Sequence, residues 1–224
     1  MRRSSQPELP LHRGTWGGRR PGAGRKQGPN PAVRHRERER FAGRFPCHVT
    51  LKVQKGLPSL RTKRVVREIE QSRAPACERG SFRIVHYSIQ SIVEASGREA
   101  LGHGMKSLAA RFARAVNRVL ARKGPVLAGR YHLRVLRSPR QVRNALAYVL
   151  LNARRHLAKR RGRAAVKGDA LDPASSARGF DGWAGQRRAP ARGSPLVAPP
   201  RTWMLRVGWR RHGLISPAEI PGLA

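Results

Sequence analysis

The chain of 224 residues sets 48 Lys and Arg against 12 Asp and Glu, a formal net charge of +36 at pH 7. A compact state at this charge repels itself unless a polyanion neutralises it, so nucleic acid is the first partner to consider. The excess is spread along the whole chain, and no segment is an acidic counterweight. Forty of the 48 basic residues are Arg, the side chain better suited to bidentate phosphate contact. A coding bias toward Arg explains part of that ratio but not the shortage of carboxylates. Between residues 47 and 155 only Glu68, Glu70, Glu78, Glu94 and Glu99 are acidic, too scattered for a two-metal carboxylate nuclease site.

Other classes are set aside quickly. No stretch approaches the roughly 20 apolar residues of a membrane-spanning helix. The start, MRRSSQPELPLHRG, is basic without an apolar core, so no secretory signal is expected. Cys47 and Cys77 form neither a disulfide framework nor a metal-binding pair. The composition points to a reduced, cytosolic protein attached to nucleic acid.

Three regions follow from composition. Residues 1–43 are a basic arm rich in Gly, Pro and Arg, with GRRPGAGRK at 18–26, and are expected to be disordered when free. Residues 44–156 carry the hydrophobic patterning of a folded domain, and residues 157–224 are expected to be a loosely ordered Gly/Pro/Arg-rich tail in which the tryptophan-bearing RTWMLRVGWRRHGLI (201–215) docks. Within the domain, CHVTLKV (47–53) alternates as a strand. SLRTKRVVREIEQS (59–72) reads as a helix capped by Ser59, with Leu60, Val65, Val66 and Ile69 toward the core. SFRIVHYSIQSIVEA (81–95) is strand-like throughout. Residues 98–122 carry Leu101, Met105, Leu108, Phe112, Val116 and Val119 at helical spacing, with Gly102 and Gly104 weakening the first turn. PVLAGRYHLRVLRS (125–138) supplies a last strand, and Pro139 opens a helix running to about His156. The order β-α-β-(β)-α-β-α predicts an α+β fold, an antiparallel sheet with helices on one face.

The last helix carries the chemistry. Val142, Ala145, Leu146, Val149 and Leu150 form one apolar stripe. At about 100° per residue, Tyr148 projects roughly 130° from the centre of that stripe. It shares the polar side with Asn144 and Asn152, at spacings of four. A tyrosine offered to solvent and flanked by Arg143, Arg154 and Arg155 suits attack on a backbone phosphate, the arginines stabilising the developing charge. A surface tyrosine packing its ring on arginine stems has the same pattern.

The segment YHLRVLRSPRQVRNALAYVLLNARRH (131–156), the HVTLKV strand, FRIVHYSIQ and RTWMLRVGWRRHGLI together resemble the REP-associated tyrosine transposases. These belong to the single-strand transposases named for a His-hydrophobe-His motif. The similarity runs over most of residues 44–215, and GRRPGAGRK looks like the basic leader common in such proteins. The resemblance implies a ferredoxin-like sheet and binding to hairpins at palindromic element ends. It further implies cleavage of single-stranded DNA through a 5′-phosphotyrosine link, with Tyr148 as nucleophile. Asn152 matches a ligand of the divalent metal, Mg²⁺ or Mn²⁺. The implied protein is a bacterial, cytoplasmic, nucleoid-associated monomer or homodimer with DNA as partner.

One departure bears on the chemistry. In the family an Asn-His-x-His-Leu-type segment precedes the Ile-Val-Glu-Ala-like stretch. Here Ser91 leads straight to Ile92, and the histidine pair is absent. Residues 82–95 contain no Gly, Pro, Asn or Asp, so no ordinary two-residue turn is available. A hairpin cut from them should have one very short strand. His48, His86, His132 and Glu94 are the substitute metal ligands to consider, although no pair of these histidines has the alternate strand spacing.

Three functions compete. The first is a transposase that nicks and rejoins single-stranded DNA through Tyr148. The second is a non-catalytic relic or domesticated protein that still grips hairpin DNA. The third, motivated by charge alone, is a general RNA- or ribosome-associated protein. The binding residues expected are Arg130, His132 and Arg134 on the last strand, with Arg143, Arg154 and Arg155 around the tyrosine. Arg19, Arg20, Arg25 and Lys26 form a flexible phosphate- or minor-groove-grasping arm.

Overall fold

Residues 82–95 supply the centre of the sheet. In the computed structural model, which describes residues 37–73, 78–88, 90–185 and 197–222, they form a hairpin of two six-residue strands, β3 (Phe82–Tyr87) and β4 (Gln90–Ala95). Neither strand is cut short, contrary to the sequence expectation. The turn lacks favourable residues, but the burial of Phe82, Ile84, Ile92 and Val93 drives the pairing. A β-bulge between Ile84 and His86 absorbs one extra residue.

The remaining strands are β1 (Cys47–Thr50), a two-residue β2 (Glu78–Arg79) and β5 (His132–Val135). The sheet order is β2-β3-β4-β1-β5, and every pair is antiparallel. Helix α1 (Lys63–Arg73) lies in the connection from β1 to β2, and α2 (Arg98–Val119) in that from β4 to β5. Thr62, rather than Ser59, caps α1: its hydroxyl accepts from the Val65 N–H at 3.4 Å.

Helices cover both faces of the sheet, not one. On the first face, Leu101, Met105 and Leu108 of α2 pack on Cys47, Val49, Ile84 and Val93. Helix α1 in turn packs Val65 and Ile69 against Ala115 and Val116 of α2. On the second face, helix α3 (Pro139–Leu150) packs Val142, Leu146 and Val149 in one cluster with Val85 and Ile92. The reason is visible in β3 and β4, whose near-continuous apolar runs bury both sides and so require two covers.

The tail supplies much of the second cover, so within its described residues it is packed rather than loose. Ala177, Phe180, Trp183, Leu205, Trp209 and Ile215 join the α3 cluster. Their wide spacing in sequence hides this, since no periodic stripe connects them. Trp183 and Ile215 form a parallel bridge that ties the two halves of the tail together. The segment 201–215, expected to dock, begins the short helix α5 (Trp203–Arg206) on Glu94. That carboxylate, weighed in the sequence as a substitute metal ligand, is 5% exposed. It accepts from the N–H groups of Arg201 (2.9 Å) and Thr202 (2.8 Å) and from the Thr202 hydroxyl (2.7 Å). Arg83 stands 3.8 Å from it.

The tyrosine helix is also broken. Ser138 caps α3, accepting from the Gln141 N–H, with Pro139 in the first turn as expected. The helix stops at Leu150, and a second one, α4 (Asn152–Arg161), begins after Leu151, whose φ of −106° and ψ of 19° leave helical geometry. Leu151 is buried in the core, whereas α4 is too cationic to continue the apolar stripe. The expected arm residues Arg19, Arg20, Arg25 and Lys26, and Cys77, lie outside the described residues.

Candidate nucleic-acid interface around Tyr148

Alternation along β1 decides what lines the site. Cys47 and Val49 face α2, so His48 and Thr50 face the α3 side. The register then sets Arg134 opposite His48 and His132 opposite Thr50 on β5, and Gln90 of β4 opposite Thr50 on the other flank. Arg130, His132 and Arg134 are all exposed. Tyr148 rises from α3 beside this polar patch. The result is an open groove of about 510 Å³ lined by His48, Thr50, Gln90, Arg134, Asn144 and Tyr148, among others.

Tyr148 is half-buried, as its offset from the apolar stripe implies. The His48 ring meets it edge-on, with centroids 5.8 Å apart. Arg155 lies over its ring at 4.8 Å and donates to its hydroxyl at 3.3 Å. His48 Nε2 stands 2.6 Å from Gln90 Oε1. Burial holds His48 below its ordinary range; the Gln90 hydrogen bond opposes this, and the Arg134 charge reinforces it. A neutral imidazole donating through Nε2 keeps its lone pair on Nδ1.

The other expected arginines have acquired partners. Arg143 donates to both carboxylate oxygens of Glu219, at 2.6 and 2.7 Å. Arg154 is buried and donates to the Ala218 carbonyl at 3.2 Å. Pro221 and Gly222 line the same groove, so the segment that ends the described chain closes one wall. Gln90 and Glu219 were not expected at the site. Gln90 becomes visible only through the β1–β4 register, and Glu219 only through a contact spanning 76 residues.

The residues present do not fit a divalent cation. Asn152 is 1% exposed, starts α4 beyond the break, and its Oδ1 is buried without a hydrogen-bond partner among the described residues. Among the described residues the groove offers neutral donors from His48, Gln90 and Asn144, and one carboxylate, Glu219, which is held by Arg143. His86 is elsewhere, on the tail side, beside Ser176 and Phe180. Among the described residues no group of three His, Cys, Asp or Glu is placed to hold an ion.

A second cavity, of about 420 Å³, lies between α1 and the tip of the β3–β4 hairpin. Its walls are apolar, from Leu57, Val66 and Phe112 among others, and it does not open onto Tyr148. No helix among the described residues is long and apolar enough to cross a membrane. Compared with known proteins, the chain matches no family model, no curated sequence and no solved structure.

Proposed function

We propose that this chain is a DNA-binding protein of the tyrosine single-strand transposase type. In this reading it grips hairpin or palindromic DNA and presents a phosphate of the single strand to the Tyr148 groove. The observation that carries the reading is a groove lined by Tyr148 and Arg134, with Arg155 over the Tyr148 ring and the exposed His132 two residues before Arg134 on β5, in a chain with charge +36. The order β3-β4-β1-β5, with α1 and α2 as connections, supports a ferredoxin-like sheet as the platform. The basic side chains supply phosphate contacts, and binding falls steeply with salt because each contact releases counterion.

A second reading keeps the chemistry, and the hydrogen bond from Arg155 to the Tyr148 hydroxyl favours it. Tyr148 Oη would attack the scissile phosphorus, forming an Oη–P bond as the P–O3′ bond breaks. The phenol proton ends on the released 3′ oxygen, and Arg155 and Arg134 neutralise the charge that builds on phosphorus. The donor set described above gives a metal no part in this step.

Incubating the full chain with a labelled single-stranded hairpin, with and without Mn²⁺, separates the readings. Tight binding without a covalent protein–DNA adduct supports the binder. An adduct lost in Tyr148→Phe supports strand cleavage. Equal affinity for hairpin DNA and duplex RNA overturns both in favour of a general RNA-associated protein. Light scattering of the complex reports whether one or two copies engage the DNA.

A further inference from the structure

Helix α4 has no apolar face to pay for its position. Only Asn152, Arg154 and Ala158 are buried, and the helix contains no acidic residue. His156, Lys159, Arg160 and Arg161 are exposed, and Arg155 is half-buried. Arg155 and Lys159 stand four residues apart on one side of the helix, and Arg160 and Arg161 follow them, so cationic side chains crowd its second half. Such like-charge pairs destabilise an isolated helix. Lys159, Arg160 and Arg161 favour the negative end of the helix dipole, which offsets part of that cost. Among the described residues none of these three side chains makes an ion pair or hydrogen bond.

Arg61, from the loop before α1, adds to the field and shares its charge with Asp172 at 2.6 Å. Burial, followed by the charges of Arg155, Arg61, Lys159 and Arg160, holds His156 below its ordinary range. A helix this rich in unpaired exposed cations presents a positive field to an external polyanion.

Resting on the reading above, we propose that α4 is a docking ridge for the sugar–phosphate backbone of a nucleic-acid duplex, continuous with the Tyr148 groove through Arg155. The side chains choose the occupant. α4 carries no Phe, Tyr or Trp to serve as a stacking platform for unpaired bases, and no exposed Asn or Gln is available to read a base edge. What remains is rows of charge on a rod of ten residues, about 15 Å long, facing a polymer with one charge per roughly 1.7 Å of axis. Arg155 belongs both to the ridge and to the Tyr148 ring contact. A duplex seated on α4 therefore delivers its single-stranded end to the groove.

The test is a triple variant of the full chain, Lys159→Gln, Arg160→Gln and Arg161→Gln, titrated over a range of salt with two probes. One is a stem-loop DNA with a single-stranded tail, the other an unstructured oligo(dT). The stem-loop affinity should fall about tenfold, with its log–log salt slope shallower by about 2–3. The oligo(dT) affinity should hold within about twofold of the wild type, since α4 takes no part there. A melting temperature no lower than wild type shows that the fold is kept. If the wild type binds and the variant leaves stem-loop binding and its slope unchanged, or weakens both probes alike, the ridge is overturned. A wild type that binds neither probe overturns the functional reading itself.

Discussion

Glu219 grips Arg143 through both carboxylate oxygens, and the same guanidinium donates to the Leu214 carbonyl at 3.2 Å. A carboxylate held in this bidentate way occupies the place a phosphate would take. It predicts that Glu219→Gln frees Arg143 and raises affinity for stem-loop DNA several-fold. The same change should lower stability by about 1 kcal/mol, the scale of a partly exposed ion pair. Anisotropy titration and urea denaturation of the one variant check both signs. Weaker DNA binding would mean that Glu219 holds Arg143 in place for the ligand instead of competing with it.

Two glycines of α2 should respond in opposite directions to the same substitution. A methyl group on Gly104 would stand 2.2 Å from the Phe82 ring, whereas one on Gly102 meets nothing within 4 Å. Gly104→Ala should therefore cost about 1–3 kcal/mol through overpacking. Gly102→Ala should stabilise by about 0.5–1 kcal/mol through helix propensity. Paired thermal melts decide it; two stabilising changes would mean that the contact between α2 and Phe82 is looser than described.

The difference between these glycines shows where sequence reading stops. Both look like helix weakeners in the sequence, and only the tertiary approach of Phe82 separates them. The tyrosine helix reads more clearly, because the period that buries Val142, Leu146 and Val149 also expels Tyr148. Its break at Leu151 has no Gly or Pro to announce it. Burial of Glu94 depends on backbone N–H groups more than 100 residues away. His48 was recognisable only as one histidine among several; the β1 alternation and the packing of α3 bring it to Tyr148. Local periodicity carries the elements, and long-range register carries the site.

His86 sets a pH dependence. Burial pushes its pKa down to about 4, with the Asp181 charge opposing. In the unfolded chain the same ring titrates near its ordinary value of about 6.5. Between those two values the unfolded state binds a proton that the native state refuses, so stability falls as pH drops through this window and levels off below it. His86 accounts for at most about 3 kcal/mol of that loss. Denaturant midpoints from pH 7 to pH 4 should trace the slope, and His86→Gln should flatten it. The residual slope belongs to His48 and His156, which burial also holds down. An unchanged slope in His86→Gln would place the effect elsewhere.

Glu94 and Arg83 are 5% and 4% exposed, and the carboxylate also holds the start of α5. Glu94→Gln places an amide donor among donors and removes a carboxylate charge 3.8 Å from the buried Arg83 guanidinium. It should cost about 3–5 kcal/mol, the penalty for breaking a buried pair from one side. The loss should show first in the tail, because Glu94 joins it to the sheet. Trp209 is 1% exposed in the cluster behind α5, so its fluorescence should shift to the red before helix content falls. Replacing both partners together, Glu94→Leu with Arg83→Met, removes the two buried charges at once and should recover a large part of the stability. A double variant as unstable as Glu94→Gln would show that the hydrogen bonds to Arg201 and Thr202, not the ion pair, carry the attachment.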